Sequence, residues 1–194
     1  MSRSTDPVTH HDKSFANVNF SEKKLADREF VKCTFVGCDF TKSDLGGNDF
    51  ESCTFTQCNF SLATVENTGF RNATFTGCKV MGVDFTRCNK FLFSFSFSDC
   101  LLDYATFYGT KLKKTSFINC SLKEADFSEA DLTQSIFQNC DLTGTKFDRT
   151  NLEKADLRTA QNFTIDPDTN KLKRARFSAL NLEGLLMKYG LDIE

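Results

Sequence analysis

The chain has 194 residues and a formal net charge of −2, with 22 Phe, 3 Tyr, no Trp, 10 Gly and 2 Pro. That length suits one domain of ordinary size, and so little Gly and Pro excludes a collagen-like or disordered chain. The near-neutral balance gives no steer toward nucleic acid or an anionic membrane, and no apolar run reaches membrane-crossing length.

In chain order, the first segment is "MSRSTDPVTHHD", residues 1–12. It lacks the hydrophobic core of a signal peptide and reads as a flexible tail on a cytoplasmic protein. From residue 13 a different regime begins. In "KCTFVGCDFTKSDLGGNDFESCTFTQCNF", residues 32–60, a bulky apolar residue returns every fifth position: Phe35, Phe40, Leu45, Phe50, Phe55 and Phe60. A five-residue period makes no stripe on an α-helix and alternates faces on a flat strand, so the backbone must turn a corner about once per five residues.

The same ruler runs from Phe15 to Phe85, with Phe, Leu or Val at every centre. The position two before each centre is almost always small from Cys33 onward, and all nine cysteines occupy it: Cys33, Cys38, Cys53, Cys58, Cys78, Cys88, Cys100, Cys120 and Cys140. Like residues also recur at spacing 20, as in Cys38–Cys58–Cys78, Cys100–Cys120–Cys140 and Phe107–Phe127–Phe147. Four pentapeptides therefore make one circuit, and circuits stack at a parallel-strand spacing of roughly 4.8 Å. The expected interior holds Phe35, Phe40, Phe55, Phe60, Phe107, Phe127 and Phe147 beside the small thiols Cys38, Cys58, Cys78, Cys100, Cys120 and Cys140. About seven circuits give a rod roughly 34 Å long.

Two irregularities follow. The step from Phe85 to Leu92 is seven, so two extra residues enter after Cys88, within 86–92. This predicts a register shift at which Lys90 leaves the core, and "NKFLFSFSF" (89–97) reads as an aggregation-prone strand. Centres then run from Leu92 to Leu157, lapse over 158–170, and return at Leu172 and Phe177.

The last element, 178–194, is read as a short amphipathic α-helix with a tail. Leu182, Leu185, Leu186 and Tyr189 follow i, i+3, i+4, i+7; Gly190 suits a helix end, and Leu191 and Ile193 continue as an apolar tail. It can cap the open end of the coil, and its surplus of apolar side chains favours pairing of two chains end to end.

Little in the chain carries chemistry. The closest Cys spacing is five, and the only histidines, His10 and His11, sit in the N-terminal tail. Zinc sites use closer pairs, so the thiols read as packing groups. Asp126, Asp131, Asp141 and Asp156 stand immediately before centres, where Asp bonds turn backbone. A filled coil offers no substrate pocket, and the reading is of a protein that is not an enzyme and has no cofactor or metal.

The pattern small–Asp/Asn–Leu/Phe–x–x stands as "ADFSE" (125–129), "ADLTQ" (130–134), "CDLTG" (140–144), "CDFTK" (38–42) and "ADLRT" (155–159). Over residues 13–177 this resembles the pentapeptide repeat family, which implies an all-β, right-handed quadrilateral parallel β-helix. The ending resembles those of the quinolone-resistance members. In that group a C-terminal helix and tail join two β-helices head to head, and the acidic rod mimics duplex DNA toward DNA gyrase or topoisomerase IV. The resemblance implies a homodimer contact at Leu182, Leu185, Leu186, Tyr189, Leu191 and Ile193, with no direct nucleic-acid binding and no membrane partner.

The chain departs from that group in three ways. Its charge is near neutral, its one internal insertion is the two-residue step near 86–92, and Lys171, Lys173, Arg174 and Arg176 cluster beside the proposed junction. A general interaction scaffold for another cytosolic protein is the alternative. A continuous acidic stripe along 99–160 would mark the first reading, and a patchwork the second.

Overall fold

The computed structural model describes residues 7–91 and 93–192. Ten short strands follow in order: β1 Val8–His11, β2 Ser14–Ala16, β3 Arg28–Val31, β4 Thr34–Val36, β5 Asp49–Glu51, β6 Thr54–Thr56, β7 Gly69–Thr76, β8 Phe93–Ser98, β9 Ser116–Ile118 and β10 Ile136–Gln138. Every pairing is parallel. The offset is one circuit of 20 residues, as in Phe35 opposite Phe55 and Phe30 opposite Phe50. The architecture is a right-handed, four-sided parallel β-helix.

The corner has a backbone cause. At most corners the residue two after a centre lies in the left-handed region, for example Asn17 (φ 54°), Lys42 (φ 53°) and Gln57 (φ 53°). Residues other than Gly, Asn and Asp meet a penalty there of roughly 1–2 kcal/mol each. The stack offsets it by pairing backbone between circuits: Phe20 N–H donates to the Asp39 carbonyl at 2.7 Å, and Asp39 N–H to the Val18 carbonyl at 3.0 Å.

Inside, rings stack on rings. One column runs Phe15, Phe35, Phe55, Phe75, Phe97, Phe117, Phe137, seven rungs and hence six turns, with centroids 4.8–5.6 Å apart and planes within 24°. Neighbouring columns meet edge-on, as Phe35 and Phe40 do at 65°. Phe35, Phe40, Phe55, Phe60, Phe107 and Phe127 are buried, and Phe147, nearer the end, is 6% exposed. All nine cysteines are buried and free. Seven of the thiols donate to carbonyls of the preceding circuit, as Cys38 does to Phe15 at 3.4 Å, Cys58 to Phe35 at 3.5 Å and Cys140 to Phe117 at 3.3 Å. Ser43 and Thr150 use the same slot, their hydroxyls donating to the Phe40 and Phe127 carbonyls.

Three local expectations are corrected and one is refined. Residues 8–12 are not tail: β1 pairs with β3 from Val8, because His10 stacks on Phe30 at 4.9 Å and bonds Arg28, closing the first circuit. The two-residue insertion holds as a net offset, with Phe75 opposite Phe97 and Lys79 opposite Leu101, but it is reached through a local gain of three before Phe93 and a loss of one just after it. Phe93 stands opposite Phe70, an offset of 23, and Ala73 opposite Phe95, an offset of 22, because β7 bulges at Asn72, whose N–H donates to Ser94 Oγ at 2.9 Å. Leu92, the expected centre, lies outside the described residues; Phe95 is buried and Phe93 half-buried, while Lys90 is exposed. The lapse at 158–170 keeps the core filled, since Phe163 and Ile165 turn inward and Asn170 Nδ2 donates to the Phe147 carbonyl.

The last correction concerns the C-terminus. The helix is present, but as two 3-10 segments, Ala179–Leu185 and Met187–Tyr189, with a non-helical Asn181 (φ −134°) inside the first. So short a segment does not sustain an α-helix alone, and tertiary bonds set its path.

Candidate interaction surfaces at the capped end and along the rod

Phe163 and Ile165 close the core from a loop, and the C-terminal segment then lies across them. Ile165 N–H donates to the Gly184 carbonyl at 2.9 Å, Asn181 Nδ2 to the Ala160 carbonyl at 2.7 Å, and Lys188 Nζ to Asp166 at 2.6 Å and to Asp168. Gly184 is buried against Phe163: a Cβ there would collide with the Phe163 carbonyl oxygen and lie 2.7 Å from its ring. Only a residue without a side chain admits the close approach.

The cap divides the residues expected at a dimer contact. Leu185 packs on the core and Leu186 is half-buried, whereas Leu182, Tyr189 and Leu191 are exposed. Ile193 lies outside the described residues. Two residues the helical spacing passed over join the outward set, Leu180 at 95% exposure and Met187 at 61%. The 3-10 path rotates them outward, and five exposed apolar groups on one short segment mark a surface of interaction type.

The sides of the rod differ in charge. On the side formed by β2, β4, β6 and β8–β10 with the second half of β7, outward residues are uncharged: Thr34, Thr54, Thr74, Ser96 and Ser116 make one row, Val36, Thr56, Thr76, Ser98 and Ile118 another. Elsewhere carboxylates and cations alternate between circuits. Asp131 pairs with Lys113 at 3.2 Å, Asp141 with Lys123 at 3.2 Å, Glu129 with Arg149 at 2.9 Å, and Asp156 with Arg158 at 2.7 Å and Arg176 at 3.3 Å. Over 99–160 the surface is thus a patchwork of paired charges.

The acidic series does turn chemistry. Asp131 Oδ1 accepts the Thr133 N–H at 3.1 Å and its hydroxyl at 2.6 Å, and Asp141 treats Thr143 alike. Asp126 accepts the Ser128 N–H and Asp156 that of Arg158. Burial works against ionised Asp141, but Asn162, Thr143 and Lys123 together hold its carboxyl down to about 2. Asp156 is lowered by Arg158 first. Among the thiols, burial pushes Cys53 up to about 12 and raises Cys88 too. Among the described residues no cluster of His, Cys, Asp and Glu is placed to hold a metal ion, and no helix is long and apolar enough to cross a membrane.

A family profile described as "Pentapeptide repeat region" matches residues 48–118 and 110–187. No curated protein sequence matches. Among solved structures, a trypsin-treated variant of QnrB1, described as a plasmid-mediated fluoroquinolone resistance protein, is 20% identical; the match covers 100% of this chain and 95% of that one, with a TM-score of 0.65. A second trypsin-treated QnrB1 variant is 18% identical over 96% and 100%, with a TM-score of 0.63.

Proposed function

Because this chain belongs to the pentapeptide repeat family, we propose that it is a rigid recognition rod, not an enzyme, whose first partner to test is a bacterial type II topoisomerase, DNA gyrase or topoisomerase IV. The observation that carries this reading is the end-to-end likeness of the coil to QnrB1, a plasmid-mediated fluoroquinolone resistance protein. The outward Leu180, Leu182, Met187, Tyr189 and Leu191 support joining of two chains at the capped ends. Two rods of roughly 34 Å would then make a body near 70 Å.

The test is gyrase supercoiling and fluoroquinolone-stabilised cleavage with purified protein at micromolar concentration. Protection of the enzyme, or inhibition of supercoiling, is the expected result; no change in either removes the topoisomerase as partner. One observation favours a second reading. The paired charges over 99–160 make a patchwork in place of a continuous acidic field, which suits a scaffold for another cytosolic protein. Specific recovery of gyrase subunits in a pull-down would count against that reading.

A further inference from the structure

Beside Cys88, Lys90 and Phe91 one side of the coil holds a recess of about 330 Å³, within the range of small-molecule sites. Its floor is apolar: the ring of Phe85 and the thiol-bearing Cys88, both buried, with half-buried Phe93 beside them. Phe91 stands at the mouth with 96% of its surface in water.

Two cations edge the recess, Lys90 from the insertion and Lys111 from the next circuit. Their neighbours are neutralised: Lys113 reaches Asp131 at 3.2 Å, and Arg87 reaches Asp84 at 3.5 Å and Glu66 at 3.7 Å. Among the described residues Lys90 and Lys111 reach no carboxylate within 4.0 Å. Asp131, paired in the stack with Lys111, is the acid that Lys113 takes, and Asp84 is occupied by the Thr86 N–H and hydroxyl and by Arg87. Gly109 lines the far wall, and a Cβ added there would meet open space.

We propose that this recess binds one small amphiphilic anion, an aryl or short-chain acyl carboxylate or sulfonate. Its apolar part lies on Phe85 and Phe93 under Phe91, and its charged head stands between Lys90 and Lys111. Charge complementarity selects the head, and apolar area selects the tail. The site is independent of the partner that the rod recognises.

The test uses 8-anilinonaphthalene-1-sulfonate as fluorescent probe, with octanoate and acetate as competitors. Wild-type protein is expected to bind one probe saturably, with octanoate displacing it and acetate failing to. In the Lys90→Glu, Lys111→Glu double variant, whose changes are both on exposed side chains, affinity falls at least tenfold. Gly109→Asn, a residue that tolerates the left-handed corner, narrows the recess and weakens binding likewise. Leu180→Ser, at the far apolar end, leaves it unchanged. Absence of saturable probe binding overturns the proposal. So does binding that survives both recess variants, or that follows Leu180→Ser instead, each variant being checked for native circular dichroism.

Discussion

At the scale of the residue, each pentapeptide divides labour between a large side chain, a small one and a bent backbone. Phe127 lies between stacked Phe107, at 4.8 Å, and Phe147, at 5.7 Å, and meets Phe117 and Phe137 edge-on. Phe127→Ala leaves a cavity that rigid neighbouring rungs cannot fill, and should cost about 3–5 kcal/mol in urea unfolding. A cost below 1 kcal/mol would mean that the rings repack freely. The carboxylates make a second residue-scale prediction. Asp141 is held down to about 2 in the folded chain, below the ordinary unfolded value of about 3.9. A depressed folded value gives stability that is present above about pH 4 and lost as pH falls toward 2. Asp44, lowered by the Gly46 N–H, and Asp156 act in the same direction. Asp141→Asn should therefore flatten the acid limb of a stability–pH curve between those values. An unaltered slope would assign the acid sensitivity elsewhere.

At the scale of the element, the cap is held by contact with one residue that has no side chain. Gly184→Val should push the C-terminal segment off Phe163, seen as faster proteolysis after 178 and faster amide exchange at Ile165, with the coil from 28 to 157 unchanged. Unaltered exchange at Ile165 would show that Asn181 and Lys188 hold the cap without that approach. How much of this was legible beforehand follows from what repeats. The five-residue ruler found the interior from Phe35 to Leu157 because each centre meets the same surroundings one circuit away. It missed Phe163 and Ile165, which stand one residue after and two before the expected centres, 162 and 167. A loop fills a closing core by whatever path reaches it. It also missed the bulge at Asn72, because nothing in a β7 sequence that keeps the ruler announces that its partner circuit has lost a residue. At the C-terminus the i, i+3, i+4, i+7 rule assumed α geometry, and the 3-10 path turned Leu185 inward and Leu180 outward.

At the scale of the whole molecule, one end is sealed by a kinked segment that still shows Leu180, Leu182, Met187, Tyr189 and Leu191 to water. If these join two copies, molar mass by light scattering should be that of a dimer for wild type and halve for Leu180→Asp with Leu191→Asp. A monomeric wild type would leave the segment as a cap alone. The 20-residue offset between paired strands, broken only between β7 and β8, has together with the four-sided section a further consequence for how such a chain changes length. Excision of 113–132 should return Leu112 to the place of Leu132 and yield a shorter folded rod. Removal of five residues from the same region would send every later side chain to the adjacent wall and carry the sealed end a quarter revolution around the axis. Viable insertions and deletions are therefore quantised in whole revolutions, and the net two residues gained between β7 and β8 come with a bulge at Asn72 and an opened wall beside Cys88.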